Sequence, residues 1–359
     1  MENSTQTPYY AKVSQVLIAI VALVFILIIG SDIIVPLLFA IIIAILLNPI
    51  VSFLQKKGFN NVIAITIVVL FALFVVIGLL SFIGSQLALF TDALPQLKIK
   101  FNAMFVDALN WVSQNFNLKK SVIIEWLAEQ KKTGASQSTS IVGNTLISIS
   151  GVLIVLLLLP VYVFLFLYYK PLLLEFIYKA IAKNNHTVVA DVLTQTKTLI
   201  QSYLMGLLIE ACIVATLNST GLLLLGIDYA ILLGVIGALL NLIPYIGGLI
   251  AIALPMTLAL ATKEPVCALY VLGVYMFIQL VDNNFIVPKI VASKVKINAL
   301  TSIIAVLVGG AIWGVAGMFL SLPITAICKV IFDRVEPLKP FGYLIGDTMP
   351  EIKLFKKKL

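Results

Sequence analysis

Apolar residues along this chain fall in long blocks, with charge confined to the gaps between them. Between Lys12 and Lys56 the only charged residue is Asp32, and none lies between Lys57 and Asp92, Lys132 and Lys170, Asp228 and Lys263, or Lys296 and Lys329. Each block has room for one or two helices of about 20 residues, the length that crosses a hydrocarbon core of about 30 Å. The pattern predicts full helices over 12–30, 33–54, 61–83, 144–169, 199–226 and 265–281. Pro36 falls in the first turn of the second, where a missing amide hydrogen costs little. Gln55 to Gly58 closes a tight hairpin, and Tyr168, Tyr169, Lys170 and Pro171 end the fourth helix with an interfacial aromatic pair and a helix stop.

Two stretches depart from this pattern. Residues 85–132 carry charge together with a helical apolar stripe, Leu97, Phe101, Met104, Phe105, Ala108 and Val112. They read as amphipathic helices at the membrane surface, followed by the linker TGASQSTS at 133–140. Residues 170–198 read as a polar connector.

In the last third, glycines and prolines interrupt the apolar runs at 239–261, 278–291 and 308–330. Lipid offers no hydrogen-bond partner to the freed backbone groups, so such breaks survive where they are buried in protein or line a wet cavity. Parity supports the same reading. Lys56 and Lys57 place the first short loop, and with it the amino terminus, in the cytoplasm, while the loop at 289–296 and the Lys356–Lys358 tail vote for the same side. Residues 229–262 and 299–332 must then each begin and end on one face, so both are expected to be broken or re-entrant helical hairpins. A sequence echo, GGLIAIALPMTLA at 247–259 against AGMFLSLPITA at 316–326, is compatible with an inverted repeat whose binding site lies where the tips meet. The expected segments are 1–83 (helices 1–3), 84–143 (extracytoplasmic amphipathic segment and linker), 144–198 (helix 4 and cytoplasmic connector), 199–332 (transport core with two broken hairpins) and 333–359 (cytoplasmic basic tail).

Composition agrees with an all-α polytopic membrane protein of about six spans plus two hairpins. Hydrophobic residues make up 61% of the chain, charged residues 11%, and mean hydropathy is +1.12. The net charge of +8 sits at membrane-flanking lysines, which calls for anionic lipid as partner and not nucleic acid. Cys212, Cys267 and Cys328 lie in apolar runs without metal or redox spacing. The apolar run Val13–Ile29 is longer than a signal-peptide core and lacks a small-residue cleavage site, so a retained first helix is expected.

Few residues are available for chemistry. The single histidine, His186, lies in the connector, and no HExxH, GxxxxGK or GxSxG occurs, so neither an enzyme nor a cofactor is expected. Glu210 is the one acid deep inside a span, 13 residues beyond Lys197, where a carboxylate faces protein or water. It serves a proton-linked or solute-binding role, or it is a neutral acid hydrogen-bonded between helices or subunits. Gln279, Asp282, Asn283 and Asn284 precede Pro288 and either coordinate a polar solute or form a helix-terminating turn. In the first hairpin Asn241, Pro244, Tyr245, Gly247 and Gly248 expose backbone at the bend, and in the second Gly310 and Gly314 let the arms approach beside Trp313.

In LNLIPYIGG, Gln279 with Asp282-Asn283-Asn284, VPKIV and GGAIWGVAGMFLSLP, the chain resembles the autoinducer-2 exporter family of bacterial inner-membrane permeases, and the likeness extends over nearly its whole length. Lys289 and Asn298 depart from residues common at those places in the family. The resemblance implies a secondary transporter of small molecules, a homo-oligomer (pentamers are described for the family) and an elevator-like shift of the hairpin-bearing domain. On that reading Asn241, Gln279, Asp282 and Asn283 contact a polar, autoinducer-2-like solute, and Glu210 couples a proton. A sodium–proton antiporter and a non-transporting membrane scaffold are the alternatives.

Overall fold

A computed structural model of the chain describes residues 9–116, 157–244, 246–291 and 297–348. Among these residues regular structure is helical, apart from one isolated bridge between Ile297 and Gly346. The helices are α1 (Tyr9–Ile29), α2 (Ser31–Lys56), α3 (Asn61–Phe116), α4 (Leu157–Tyr168), α5 (Lys170–Ala180), α6 (His186–Leu224), α7 (Ala230–Asn241), α8 (Ile246–Thr262), α9 (Pro265–Val281), α10 (Ala299–Phe332) and α11 (Lys339–Ile345). From α9 the chain continues without a stop as a π-helical stretch, Asp282–Val291. Among the described residues five helices are long and apolar enough to cross a membrane, α10 among them only with the two arms of its hairpin counted together; the α4–α5 pair, bent by 60°, makes a sixth if counted as one span, and the apolar part of α1, expected as a full span, is shorter than these. The chain is a polytopic all-α membrane protein, as its charge gaps indicate.

The contacts group the chain into two units: Met1–Pro49 with Tyr162–Leu204 and Ser293–Leu359, and Ile50–Val161 with Met205–Ala292. Those boundaries cut through α2, α4 and α6 and differ from the 199–332 segment drawn from sequence.

In the first unit α10 is two helical arms, 299–312 and 315–332, folded at Trp313 and Gly314. Gly314 holds φ +60° and ψ −140°, a conformation that side chains other than glycine rarely adopt. Beyond the break the arms touch through Gly309 and Gly317, where a methyl on Gly309 would lie 2.4 Å from the Gly317 carbonyl oxygen. Of the two glycines expected to let the arms approach, Gly310 lies against the Met318 side chain of the second arm and Gly314 is the pivot, while the backbones approach at Gly309 and Gly317. The reason is that a hairpin pairs residues on either side of its bend, whereas four-residue spacing describes one face of a continuous helix. Trp313 Nε1 donates to the Leu27 carbonyl at 2.8 Å, and Phe39 stacks on Phe319. Pro49 in α2 leaves the Ile45 carbonyl without its helical donor, and Gln201 of α6 supplies one at 2.7 Å.

In the second unit α7 and α8 form a helical hairpin packed on α6 and α9 around Leu222, Leu233, Ala251, Ala259 and Val271. Lipid tails are as apolar as leucine, so close packing is what holds such helices together. Small residues make the contacts: a methyl on Gly234 would meet Ser219, and one on Gly221 would meet Val274.

Two expectations are corrected here. The third helix does not stop at residue 83 but runs on through Pro95 to Phe116, 56 residues or about 84 Å. No breaker ends it, since Pro95 forfeits a single backbone bond, at a position outside the apolar stretch Asn61–Ala88. The 170–198 connector is helical too, with Pro171 starting α5 and α6 beginning at His186. The rest of the amphipathic segment after 116, the 133–140 linker and the start of the fourth helix lie outside the described residues.

Candidate functional site

The second unit brings three sequence-marked residues together. Glu210 projects from α6, Asn241 ends α7, and Asp282 begins the π-helical continuation of α9. The Asn241 amide nitrogen donates to Asp282 Oδ2 at 3.0 Å and to Glu210 Oε1 at 3.4 Å. One amide group therefore bridges two carboxyls, both buried: Glu210 is 5% exposed and Asp282 2%. Asp282 Oδ1 is buried without a partner.

Among the described residues the pair has no resident counter-charge, and neither carboxyl takes part in an ion pair. Lys263 is the only basic residue between Met205 and Pro288, and it lies beside Gly226, past the far end of α6 and about 20 Å along the helix from Glu210. The two acceptor oxygens are no farther apart than the two hydrogen bonds laid end to end. Two negative charges at that separation repel by about 3 kcal/mol even at an effective dielectric constant of ~20, before any desolvation cost. A proton or a bound monovalent cation removes that cost, so the arrangement can take up and release one positive charge. No group of three metal-ligating acids, histidines or cysteines occurs among the described residues.

The bend of the first hairpin frames this pair. A methyl on Gly247 would lie 1.7 Å from the Leu240 carbonyl oxygen, so only glycine permits the turn that places Asn241. Gly248 faces the side-chain oxygens of Gln279 and Asn241, at 3.1 and 3.5 Å from where its methyl would be. Pro244 lies in the turn, and Tyr245 lies outside the described residues. The four-residue polar cluster divides. Asp282 is buried and Gln279 half-buried, whereas Asn283 and Asn284 are exposed, Asn283 accepting a long contact from Gln279 and Asn284 donating to the Leu280 carbonyl. The helix does not terminate here, which removes the turn reading of Asp282. Gly310 and Gly314 belong to the other unit. Beside this site two further buried polar residues escaped the sequence reading, Asn218 and Tyr275, one on the α6 side and one on the α9 side of Gly237. Their only signal was spacing, eight residues after Glu210 and seven before Asp282.

The family described as AI-2E family transporter matches residues 17–336. The chain belongs to that family. This AI-2E family member is 27% identical over 336 residues to the AI-2 transport protein TqsA of Escherichia coli (strain K12), covering 90% of this chain and 92% of TqsA. It is 25% identical over 333 residues to YhhT of the same organism, covering 90% of this chain and 91% of YhhT. It is also 25% identical over 322 residues to YueF of Bacillus subtilis, covering 84% of each chain. YhhT and YueF carry names that assign transport provisionally. The AI-2E family member is thus a multi-pass membrane transporter.

Proposed function

We propose that this protein is a secondary transporter that moves a small polar, autoinducer-2-like solute across the bacterial inner membrane by alternating access, coupled to a proton held by Glu210 and Asp282. The observation that carries the proposal is the Asn241 amide, which joins both acids to the bend of the first hairpin. When the pair is charged, that amide is held by two acceptors. When the pair binds a proton, one acceptor weakens and the hairpin is freer to move. Protonation thus sets the cost of the conformational step, and Gln279, with Asn283 beside it, contacts the solute at the open side of Gly248. Asp282 passes from solute contact to partner of Glu210 in this scheme, since its buried carboxyl is tied up by Asn241. Both termini are assigned to the cytoplasm from the lysine flanks, and assembly as a homo-oligomer, a pentamer by family resemblance, is part of the same proposal.

The test is efflux from proteoliposomes loaded with autoinducer-2 and an internal pH dye, with and without a sodium gradient. Solute release accompanied by proton movement that disappears in Glu210→Gln is the expected result. Release that keeps its rate and pH dependence in Glu210→Gln refutes proton coupling, sodium-driven pH change without solute release favours a sodium–proton antiporter, and silence in both channels favours another solute or a scaffold.

A further inference from the structure

Among the described residues of the second unit three side-chain atoms are buried without a partner, and the side chains that carry two of them meet at one place. Asn218 of α6 is 2% exposed with Oδ1 unsatisfied, and Tyr275 of α9 is 4% exposed with its hydroxyl unsatisfied. Both tips lie against Gly237 of α7: a methyl there would stand 3.2 Å from Asn218 Nδ2, 3.3 Å from Tyr275 Oη and 3.6 Å from the Ala251 methyl. The two polar tips are therefore no farther apart than the first two of those distances combined, yet the Tyr275 hydroxyl makes no hydrogen bond to Asn218, an arrangement suited to one molecule between them. Native proteins rarely leave such groups unpaired, and a buried water with two or more polar partners is the usual resolution.

The third unpartnered atom is Asp282 Oδ1 in the acid pair. Along α6 the step from Glu210 to Asn218 is eight residues, about 12 Å, and along α9 the step from Asp282 to Tyr275 is seven, about 10 Å, both toward the end where α8 and α9 join. Gly237 stands one helical turn from Asn241 on the same face of α7, so the line of polar groups follows that face.

We propose that Asn218 and Tyr275 hold a buried water across Gly237, and that this water is a station through which protons pass between the acid pair and the α8–α9 end of the unit. The titratable groups nearest it on the packed elements are Tyr275 itself, Cys267 and Tyr229, which pack on the same buried cluster, with Glu210 and Asp282 farther along α6 and α9; α7 and α8 carry none, and neither does the Asn61–Ala88 stretch of α3, the helix that also packs on them. The water site stands without reference to transport, whereas its relay role rests on the proposed proton coupling.

The site is read first by X-ray hydroxyl-radical footprinting of the full-length protein in liposomes, which labels side chains touching bound water. Tyr275 should label about tenfold faster than Tyr203, which is 5% exposed and serves as the buried control. In Gly237→Ala the methyl, 3.2 and 3.3 Å from the two polar tips, crowds out the water and Tyr275 should fall to the Tyr203 rate, while Gly237→Ser, whose hydroxyl can stand in for the water, should retain proton uptake. Proton uptake driven by a pH step should slow about tenfold in Gly237→Ala and recover in Gly237→Ser. Tyr275 labelling no faster than Tyr203 overturns the site. Unchanged proton uptake in Gly237→Ala, with Tyr275 protected, overturns the relay. If Gly237→Ala does not assemble, Tyr275→Phe gives the uptake measurement with one partner removed, and unchanged uptake there overturns the relay equally. Coupled flux that survives Glu210→Gln while Tyr275 still labels fast removes the acid-pair coupling and leaves the water site standing.

Discussion

Replacing Asn241 by leucine tests the acid pair most directly, since the side chains match in size and only the amide is lost. The amide makes one good bond to Asp282, at 3.0 Å, and one long bond to Glu210, at 3.4 Å. Hydrogen bonds to charged groups contribute about 1.5–3 kcal/mol, and a stretched one less, so losing both costs about 2–4 kcal/mol while the pair is ionised. The cost should depend on pH. With the carboxyls protonated, the donor is worth only a neutral bond of about 1 kcal/mol. Melting of purified Asn241→Leu and the parent protein in detergent, at about pH 5 and about pH 9, should therefore show a deficit that grows with pH. The sign follows because removing a donor penalises the ionised pair in the folded state only. An equal deficit at both pH values would mean that the substitution acts through packing, and would refute the claim that the amide stabilises charge.

Other consequences are equally specific. Gln201→Leu should cost about 1–3 kcal/mol by stranding the Ile45 carbonyl, and adding Pro49→Ala should recover much of it because residue 49 then supplies the missing helical donor; the double-mutant cycle in thermal melting reads this as strong coupling. Gly247→Ala should abolish assembly or flux, because its methyl would lie 1.7 Å from a backbone oxygen, whereas Gly248→Ala, facing a movable Gln279 tip at 3.1 Å, should fold and show a raised apparent KM. Gly314→Ala meets nothing within 4 Å, so its loss of about 1–3 kcal/mol should come from backbone conformation alone and be matched by Gly314→Ser in the same melting assay.

Most of the spans were legible because charge gaps of helical length have one physical reading in a chain this apolar; the first, Val13–Ile29, forms as a helix but is shorter than the rest. The hairpins were legible through the cost of Gly and Pro in hydrocarbon, and α7–α8 and the folded α10 bear out the breaks themselves. The glycines that touch in α10 were not legible, since pairing across a bend depends on where the bend falls, and Trp313-Gly314 is one of several glycine-containing steps in that run. The third helix was cut short because a change from apolar to amphipathic composition marks the membrane boundary and not the helix boundary. Glu210 stood out as a lone acid in an apolar run. Asn218 and Tyr275 did not, because Asn and Tyr inside a span read equally as lipid-interface, packing or site residues until their neighbours are known.

Coupling between a proton and a moving hairpin is limited by the interaction that differs between the two positions. In this protein that interaction is the Asn241 bridge, whose strength with a charged acceptor is about 1.5–3 kcal/mol. That energy biases a two-state equilibrium roughly ten- to 150-fold, the range in which linked binding sites commonly operate. A lysine or arginine beside the pair would neutralise it permanently and remove the bias, and the chain places none there between Met205 and Pro288 except Lys263 at the far end. A fully apolar pocket would have no proton to exchange. Two carboxyls sharing one uncharged donor avoid both limits: the pair stays dependent on an exchangeable cation, and the donor that senses its charge sits on the element whose bend, fixed by Gly247, has to move.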